Sequence, residues 1–184
     1  LLAEKLRLEY LDTGAMYRAV AVAALRAGVD IEDADAITKL AERANVEIHE
    51  RIVIDGVDAT EEIRTPQANQ MVSVVAANPQ VRRVLVQRQR EWATGLGGGV
   101  MEGRDIGTEV FPDALLKVFL TADLSIRAER RFNESSDQTF DHVFEDLKRR
   151  DQVDSTRQDS PLLVAPGALI FDSSGLSVED VVSH

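Results

Sequence analysis

The chain has 184 residues, of which 44% are hydrophobic, and this is enough for one globular domain with its own core. A net charge of −11 argues against general binding to nucleic acid or to membranes. The sequence has no cysteine for a disulfide or a thiolate metal site, and its three histidines are far apart. No apolar run reaches the length of a membrane span and no signal peptide is visible, so we expect a soluble cytoplasmic protein. We also expect it to be a monomer.

The first part of the chain predicts helices separated by short extended segments. A helix is expected at 1–7, a strand at 8–11, and an alanine-rich helix at 15–27 that ends at Gly28. A second amphipathic helix follows at 31–45. A turn around Thr13 connects the strand at 8–11 to the alanine-rich helix.

From residue 46 the hydrophobic period changes to two, which is typical of strands. Residues 46–65 predict a small antiparallel meander with Asp55-Gly56 at a turn, and such an insert suggests a separate small lobe. Helices are then expected at 66–77 and 81–93, followed by a glycine-rich loop at 94–99.

The last part of the chain predicts strands that alternate with helices, which is the pattern of an α/β protein with a parallel sheet. Strands are expected at 100–102, 115–120 and 168–172, and the apolar runs in the last two predict strands that are covered on both faces. Helices are expected at 123–133 and 140–153, and a closing helix starts at Ser177.

Polar side chains suited to phosphate groups occur at the ends of several of these elements. Arginine offers a fork of N–H donors that matches phosphate, and 17 of the 21 basic residues are arginine. Four groups stand out: Thr13, Tyr17 and Arg18; Arg104 and Asp105 between Gly103 and Gly107; Arg150, Asp154 and Arg157; and Arg127, Arg130 and Arg131. For the last two groups, a solvated helix face with local ion pairs is the simpler interpretation of each group taken alone.

The pattern G-x-x-x-x-G-K-[ST], which forms a phosphate-binding loop, does not occur in the sequence. None of the four lysines follows a glycine. The glycine-rich stretch at 95–99 is therefore interpreted as a connector.

Four motifs in one order closely resemble bacterial cytidylate kinases over essentially the whole chain. They are Leu-Asp-Thr-Gly-Ala-Met-Tyr-Arg at 11–18, Glu-Ile-Arg-Thr at 62–65, Gly-Arg-Asp-Ile-Gly-Thr at 103–108 with Phe-Pro at 111–112, and Arg-Asp at 150–151 with Asp-Ser-Thr-Arg at 154–157 and Ser-Pro-Leu at 160–162. The resemblance implies a three-layer P-loop kinase-like fold with a parallel sheet and a small antiparallel insert. It implies a single domain with a core at 1–45 and 94–184, a nucleotide-binding lobe at 46–93 and a lid at 127–157.

The resemblance also implies an activity and a role for each motif residue. The family transfers the γ-phosphoryl group of ATP to CMP or dCMP with Mg²⁺. Ser73, Arg82 and Asp105 would bind the cytosine, and Arg150 and Asp154 the sugar. The remaining residues would bind phosphate groups. Arg18 and Arg104 would hold the phosphate of CMP, with Thr13 and Tyr17 nearby. Arg157 would face the transferring phosphoryl group, and Arg127 and Arg131 would bind ATP.

The family pattern begins with a strand and a phosphate-binding loop, whereas Leu1 corresponds to a position inside the helix that follows. If the chain begins at Leu1, the resemblance implies negligible kinase activity and poor stability, because that strand would lie between the strands at 100–102 and 115–120. A non-catalytic nucleotide-binding module is then the alternative. A kinase for another small acceptor is a third hypothesis, against which the set Ser73, Arg82 and Asp105 argues.

Overall fold

The computed structural model describes residues 1–134, 138–157 and 159–184, and it shows a mixed α/β protein as the sequence predicts. The first elements are α1 (Leu2–Leu6), β1 (Tyr10–Asp12), α2 (Thr13–Ala27), α3 (Ala34–Arg43), β2 (Val46–Ile48), β3 (Ile52–Ile54), β4 (Val57–Asp58), a 3₁₀ turn (Glu62–Arg64), α4 (Pro66–Ala77), α5 (Pro79–Leu96) and β5 (Val100–Glu102). They are followed by a π-helical turn (Ile106–Val110), β6 (Val118–Thr121), α6 (Leu124–Glu134), α7 (Phe140–Thr156), β7 (Leu169–Asp172) and α8 (Val178–Ser183).

The described residues form two compact units, and the chain passes from one to the other between Gly103 and Arg104. One unit is 3–103, and the other is 104–184 together with the first two residues. The predicted division into core, lobe and lid follows other boundaries and stays a prediction; its lid also includes 135–137, which lie outside the described residues.

The unit 3–103 is built around α2, which follows β1 directly, with no loop between them. Asp12 begins the helix because its side chain accepts a hydrogen bond from the Ala15 amide, which a helix leaves unpaired in its first turn. The helix ends at Gly28, whose φ of 62° is the left-handed conformation that glycine adopts at low cost. Beside it, β1 pairs in parallel with β5, with Asp12 and Glu102 as register partners.

Alanine and valine side chains make α2 the centre of the core in this unit. Ala19, Val20 and Val22 are completely buried, and they pack against α4, α5 and the meander. Small side chains allow neighbouring elements to approach this helix on several sides, so it is apolar around most of its circumference.

The meander at 46–58 confirms the predicted antiparallel insert. Strands β2, β3 and β4 pair in sequence order, and Ile52 and Ile54 point into the core. Asp55 and Gly56 both have positive φ, 50° and 80°, which is the backbone of a tight hairpin turn.

In the unit 104–184, β6 and β7 form a parallel pair that starts at Val118 and Leu169. The predicted burial of these strands is wrong: Val118 is 51% exposed, Leu120 57% and Ile170 67%. An apolar run shows that residues suit an interior, but it does not supply the elements that cover them. Among the described residues, this sheet has only its two strands.

The Gly-Arg-Asp loop continues into the π-helical turn, which the sequence does not predict. Backbone amides of Thr108, Glu109 and Val110 donate to the carbonyl of Asp105, and this closes the turn. Gly107 is closely packed, because a Cβ there would lie 3.0 Å from the Cβ of Ala165 and 3.1 Å from the Lys117 side chain. Within the described ranges, no helix is long and apolar enough to cross a membrane.

Candidate functional site

Three predicted site residues of the unit 3–103 lie on the first turns of α2, beside the end of β5: Thr13, Tyr17 and Arg18. Thr13 is buried, and its hydroxyl donates to the backbone carbonyl of Glu102 at 2.7 Å. This bond ties the start of α2 to the strand that runs into the Gly-Arg-Asp motif. A helix N-terminus at the carboxyl end of a parallel strand pair favours an anion.

Arg18 is held at this helix start by Asp12. Its Nη2 donates to Oδ2 of Asp12 at 2.7 Å, while Oδ1 of the same carboxylate accepts from the Ala15 amide at 3.0 Å. The guanidinium lies directly over Gly14, where an added Cβ would be 3.1 Å from Nη1 of Arg18. Asp12 therefore serves at once as a helix cap and as the counter-ion that orients Arg18.

Tyr17 and Arg82 meet in the core of the same unit. The Arg82 guanidinium carbon lies 5.8 Å from the centre of the Tyr17 ring, and its Nη1 donates to the carbonyl of Ala76 at 3.2 Å. Arg82 is only 4% exposed, so its orientation is firmly held. Ser73 lies partly buried on α4, which packs against α2.

The edge of the β1–β5 pair carries two shifted pKa values. Burial raises the pKa of the Tyr10 hydroxyl well above its usual range, and the carboxylate of Glu102 adds to this rise. Burial likewise raises the pKa of Glu102, the charge of Asp12 adds to that rise, and a hydrogen bond with Tyr10 opposes it. The smaller contribution of Asp12 to the pKa of Glu102 follows from the register, because these two residues are partners on neighbouring strands and their carboxylates repel each other.

In the unit 104–184, three arginines alternate with two aspartates in one chain of ion pairs, which we call the Arg–Asp chain. In order, it consists of Arg127, Asp151, Arg104, Asp154 and Arg157. The successive N···O distances are 2.7, 3.4, 3.3 and 3.4 Å. Three guanidinium groups against two carboxylates leave a formal charge of +1, which favours an anion such as phosphate.

Arg157 lies at the end of α7 and not on its face. If the helix extended through all three residues, their spacing would put Arg150, Asp154 and Arg157 on one face, but the helix ends at Thr156 and Arg157 is its C-cap. Its Nε donates to the carbonyl of Ser160 at 2.6 Å, so the motif around 160 holds this side chain in place.

The remaining predicted residues of this unit have separate surroundings. Asp105 is 7% exposed at the start of the π-helical turn, and Arg150 lies on α7. Arg131 pairs with Glu134 at 3.3 Å and not with a member of the Arg–Asp chain. Arg130, grouped with it in the sequence, donates to the carbonyl of Ser173 at 2.6 Å, which is a structural contact between α6 and the segment after β7.

Three acidic residues were missed as site residues: Asp12, Glu102 and Asp151. Each lies inside or next to a motif with a predicted arginine, and that adjacency was the available signal. In the part of the chain that the structure describes, no group of three or more His, Asp or Glu side chains is placed to hold a metal ion.

Comparisons with known proteins identify the family of the chain. The model of the cytidylate kinase family matches residues 1–184. A cytidylate kinase of Caldanaerobacter subterraneus is 45% identical over 188 residues, covering 100% of this chain and 84% of the relative. One from Mycobacterium leprae is 46% identical with the same coverage, and one from Bacillus pumilus is 45% identical, covering 94% of this chain and 80% of the relative.

Proposed function

Because the chain belongs to the cytidylate kinase family, we propose that it transfers the γ-phosphoryl group of ATP to CMP or dCMP and releases CDP or dCDP. The observation that carries this proposal is the Arg–Asp chain, which gathers three motif arginines within one unit. The match of 94–100% of this chain to named cytidylate kinases does not favour a non-catalytic module.

Phosphoryl transfer depends mainly on positioning and on neutralising negative charge, and oriented arginines supply both. Arg104 and Arg157 belong to the Arg–Asp chain, so their orientation is set before a nucleotide arrives. We assign the CMP phosphate to Arg18 and Arg104, with Thr13 and Tyr17 nearby, and the transferring phosphoryl group to Arg157. The ATP phosphates are assigned to Arg127 and Arg131.

Recognition of the base calls for one carboxylate and one buried arginine. A carboxylate accepts from the exocyclic amine of cytosine, which uracil lacks, and an arginine donates to O2 or N3 of the ring. We assign the first role to Asp105 and the second to Arg82, with Ser73 as an additional polar contact. Both charged side chains are less than a tenth exposed, which suits selective hydrogen bonding.

We assign the sugar hydroxyls to Arg150 and Asp154. The carboxylate of Asp154 also contacts Arg104 and Arg157, so ribose binding and phosphate binding would share one anchored group. We propose Mg²⁺ as the divalent ion that enters with ATP, because it prefers phosphate oxygens and water as ligands. The cytoplasmic location and monomeric state remain predictions.

The test is a kinase assay on the intact protein with CMP, ATP and Mg²⁺, in which both nucleoside diphosphates are quantified. The proposal predicts CDP and ADP in a one-to-one ratio and no CDP when the metal is removed with a chelator. ADP without CDP, or no product with any nucleoside monophosphate, would contradict it.

A further inference from the structure

The carboxylate of Asp151 stands between two arginines that come from different parts of the unit 104–184. Its Oδ2 lies 2.7 Å from Nη1 of Arg127 on α6, and its Oδ1 lies 3.4 Å from Nη1 of Arg104 after β5. Asp151 is 26% exposed, so the pairs are partly shielded from water. One carboxylate on α7 thus faces a guanidinium on each side.

The second support of Arg127 comes from the backbone. Its Nε donates to the carbonyl of Ala122 at 3.0 Å, so the guanidinium is held at Nε by the end of β6 and at Nη1 by Asp151. A planar group that is held at two of its three nitrogens has little rotational freedom. The described contacts use two of its five N–H donors and leave the others for a phosphate.

Arg104 is held in a comparable way by two carboxylates, Asp151 at Nη1 and Asp154 at Nε. Both distances exceed 3.2 Å, so these contacts are looser than the pair between Arg127 and Asp151. The tight pair sets the position of Asp151, and Asp151 in turn limits where Arg104 can lie.

We propose that Asp151 is a positioning residue that orients Arg127 and Arg104 together, so that the arginine assigned to ATP and the arginine assigned to CMP are aligned by one carboxylate. The proposal rests on the function proposed above. It explains why an acidic residue lies among arginines that bind anions: orientation is gained, and the Arg–Asp chain keeps its positive excess. Asp151 touches no substrate in this account and acts only through its two partners.

The first test replaces Asp151 by Asn, which keeps the size and removes the charge. A misplacement of about 1 Å in a phosphoryl-transfer site costs up to about 100-fold. Asp151→Asn should therefore lower kcat/KM for CMP by about 10- to 100-fold, and Asp151→Glu, which keeps the carboxylate, should recover part of it. Asp146→Asn is the matched control, because Asp146 lies on the same helix and pairs with Arg149 on the surface.

A double-mutant cycle separates positioning from a general structural role. The dissociation constant of the β,γ-methylene analogue of ATP is measured for Asp151→Asn, Arg127→Gln and the double variant. If Asp151 acts through Arg127, Asp151→Asn weakens binding in the wild-type background and changes it less than twofold in the Arg127→Gln background. An equal loss in both backgrounds, or an Asp151→Asn variant that matches Asp146→Asn, would overturn the proposal.

Wild-type protein supplies a measurement that needs no substitution at Asp151, in case Asp151→Asn does not fold. With ¹⁵N-labelled arginine, restricted rotation should give resolved Nη signals for Arg127 in the nucleotide-free protein, and averaged signals would overturn the proposal. Wild-type protein that binds neither CMP nor the ATP analogue would contradict the proposed function itself. Wild-type protein that binds both while Asp151→Asn behaves as the control contradicts this inference alone.

Discussion

Asp12 accepts a hydrogen bond from Arg18 at 2.7 Å through one carboxylate oxygen, while its other oxygen caps the helix on which Arg18 lies. The position of the Asp12 carboxylate in this ion pair is therefore fixed, because the hydrogen bond to the helix start holds its side chain in one rotamer. An arginine held in this way presents its other N–H donors in a defined direction, which is what a phosphate site requires.

Replacing Arg18 by Lys tests this arrangement. Lysine keeps the charge but is a single point donor, so it cannot pair with Asp12 and bind phosphate through one planar fork. We expect the KM for CMP to rise about 10-fold or more, which corresponds to roughly 1.4 kcal/mol, with little change in melting temperature. Arg26→Lys is the control, because Arg26 lies on the same helix and pairs with Glu62 away from this end. Equal KM values for the two variants would show that Arg18 has no special role.

Replacing Gly14 by Ala tests whether Arg18 must lie over the helix start. The new Cβ would be 3.0 Å from Oδ1 of Asp12 and 3.1 Å from Nη1 of Arg18, so both side chains have to move. Affinity for CMP should fall several-fold, measured by calorimetry, while the fold is retained because alanine favours helices.

Gly95→Ala provides the matched comparison for that variant. It also lies in a helix, α5, but its added Cβ would meet nothing within 4 Å. CMP affinity should be unchanged, and stability should be equal or slightly higher. A similar loss of affinity in both variants would mean that the contact with Arg18 is not the cause.

The raised pKa of Glu102 predicts how stability depends on pH. The folded protein holds this proton to a higher pH than the unfolded chain does, so stability falls as pH rises from the ordinary glutamate pKa of 4.5 through the raised pKa of Glu102. Glu102→Gln removes the ionisation and should melt higher than wild type at neutral pH, where Glu102 is ionised, but not in acid below about pH 4, where it is protonated. The gain should be small, because the group is partly hydrated.

Tyr10→Phe provides the second arm of that experiment. The hydrogen bond with Tyr10 lowers the pKa of Glu102, so its removal should raise that pKa further and extend the fall in stability to higher pH. Melting curves of wild type, Glu102→Gln and Tyr10→Phe between about pH 4 and about pH 8 test whether Glu102 causes the pH dependence. A pH dependence that is the same in all three would rule out Glu102 as its source.

Local signals predicted most elements of the fold, because they act over a few residues. Pro66 and Asn78 set the ends of α4 as expected, and Asp55-Gly56 formed the expected turn. The exposure of β6 and β7 was not predictable, since an apolar run does not reveal what covers it.

The candidate site was predictable in its arginines and not in their partners. Motifs identified Arg18 and Arg104, but the pair between Arg127 and Asp151 depends on how α6 packs against α7. These residues are far apart in the sequence, so no spacing rule connects them. Arg157 lies outside the helix, as the predicted helix at 140–153 implies, although α7 continues further than predicted, to Thr156.

The measurement that tests the central claim most directly is the ratio of kcat/KM for CMP to that for UMP, in wild type and in Asp105→Asn. A carboxylate accepts from the amine of cytosine, whereas the amide of Asn can donate to O4 of uracil, and such a contact is worth about 1–3 kcal/mol. Wild-type protein should prefer CMP, and Asp105→Asn should reduce the ratio by roughly 10-fold or more. A wild-type protein that turns over UMP as well as CMP, or a ratio that Asp105→Asn leaves unchanged, would contradict the account.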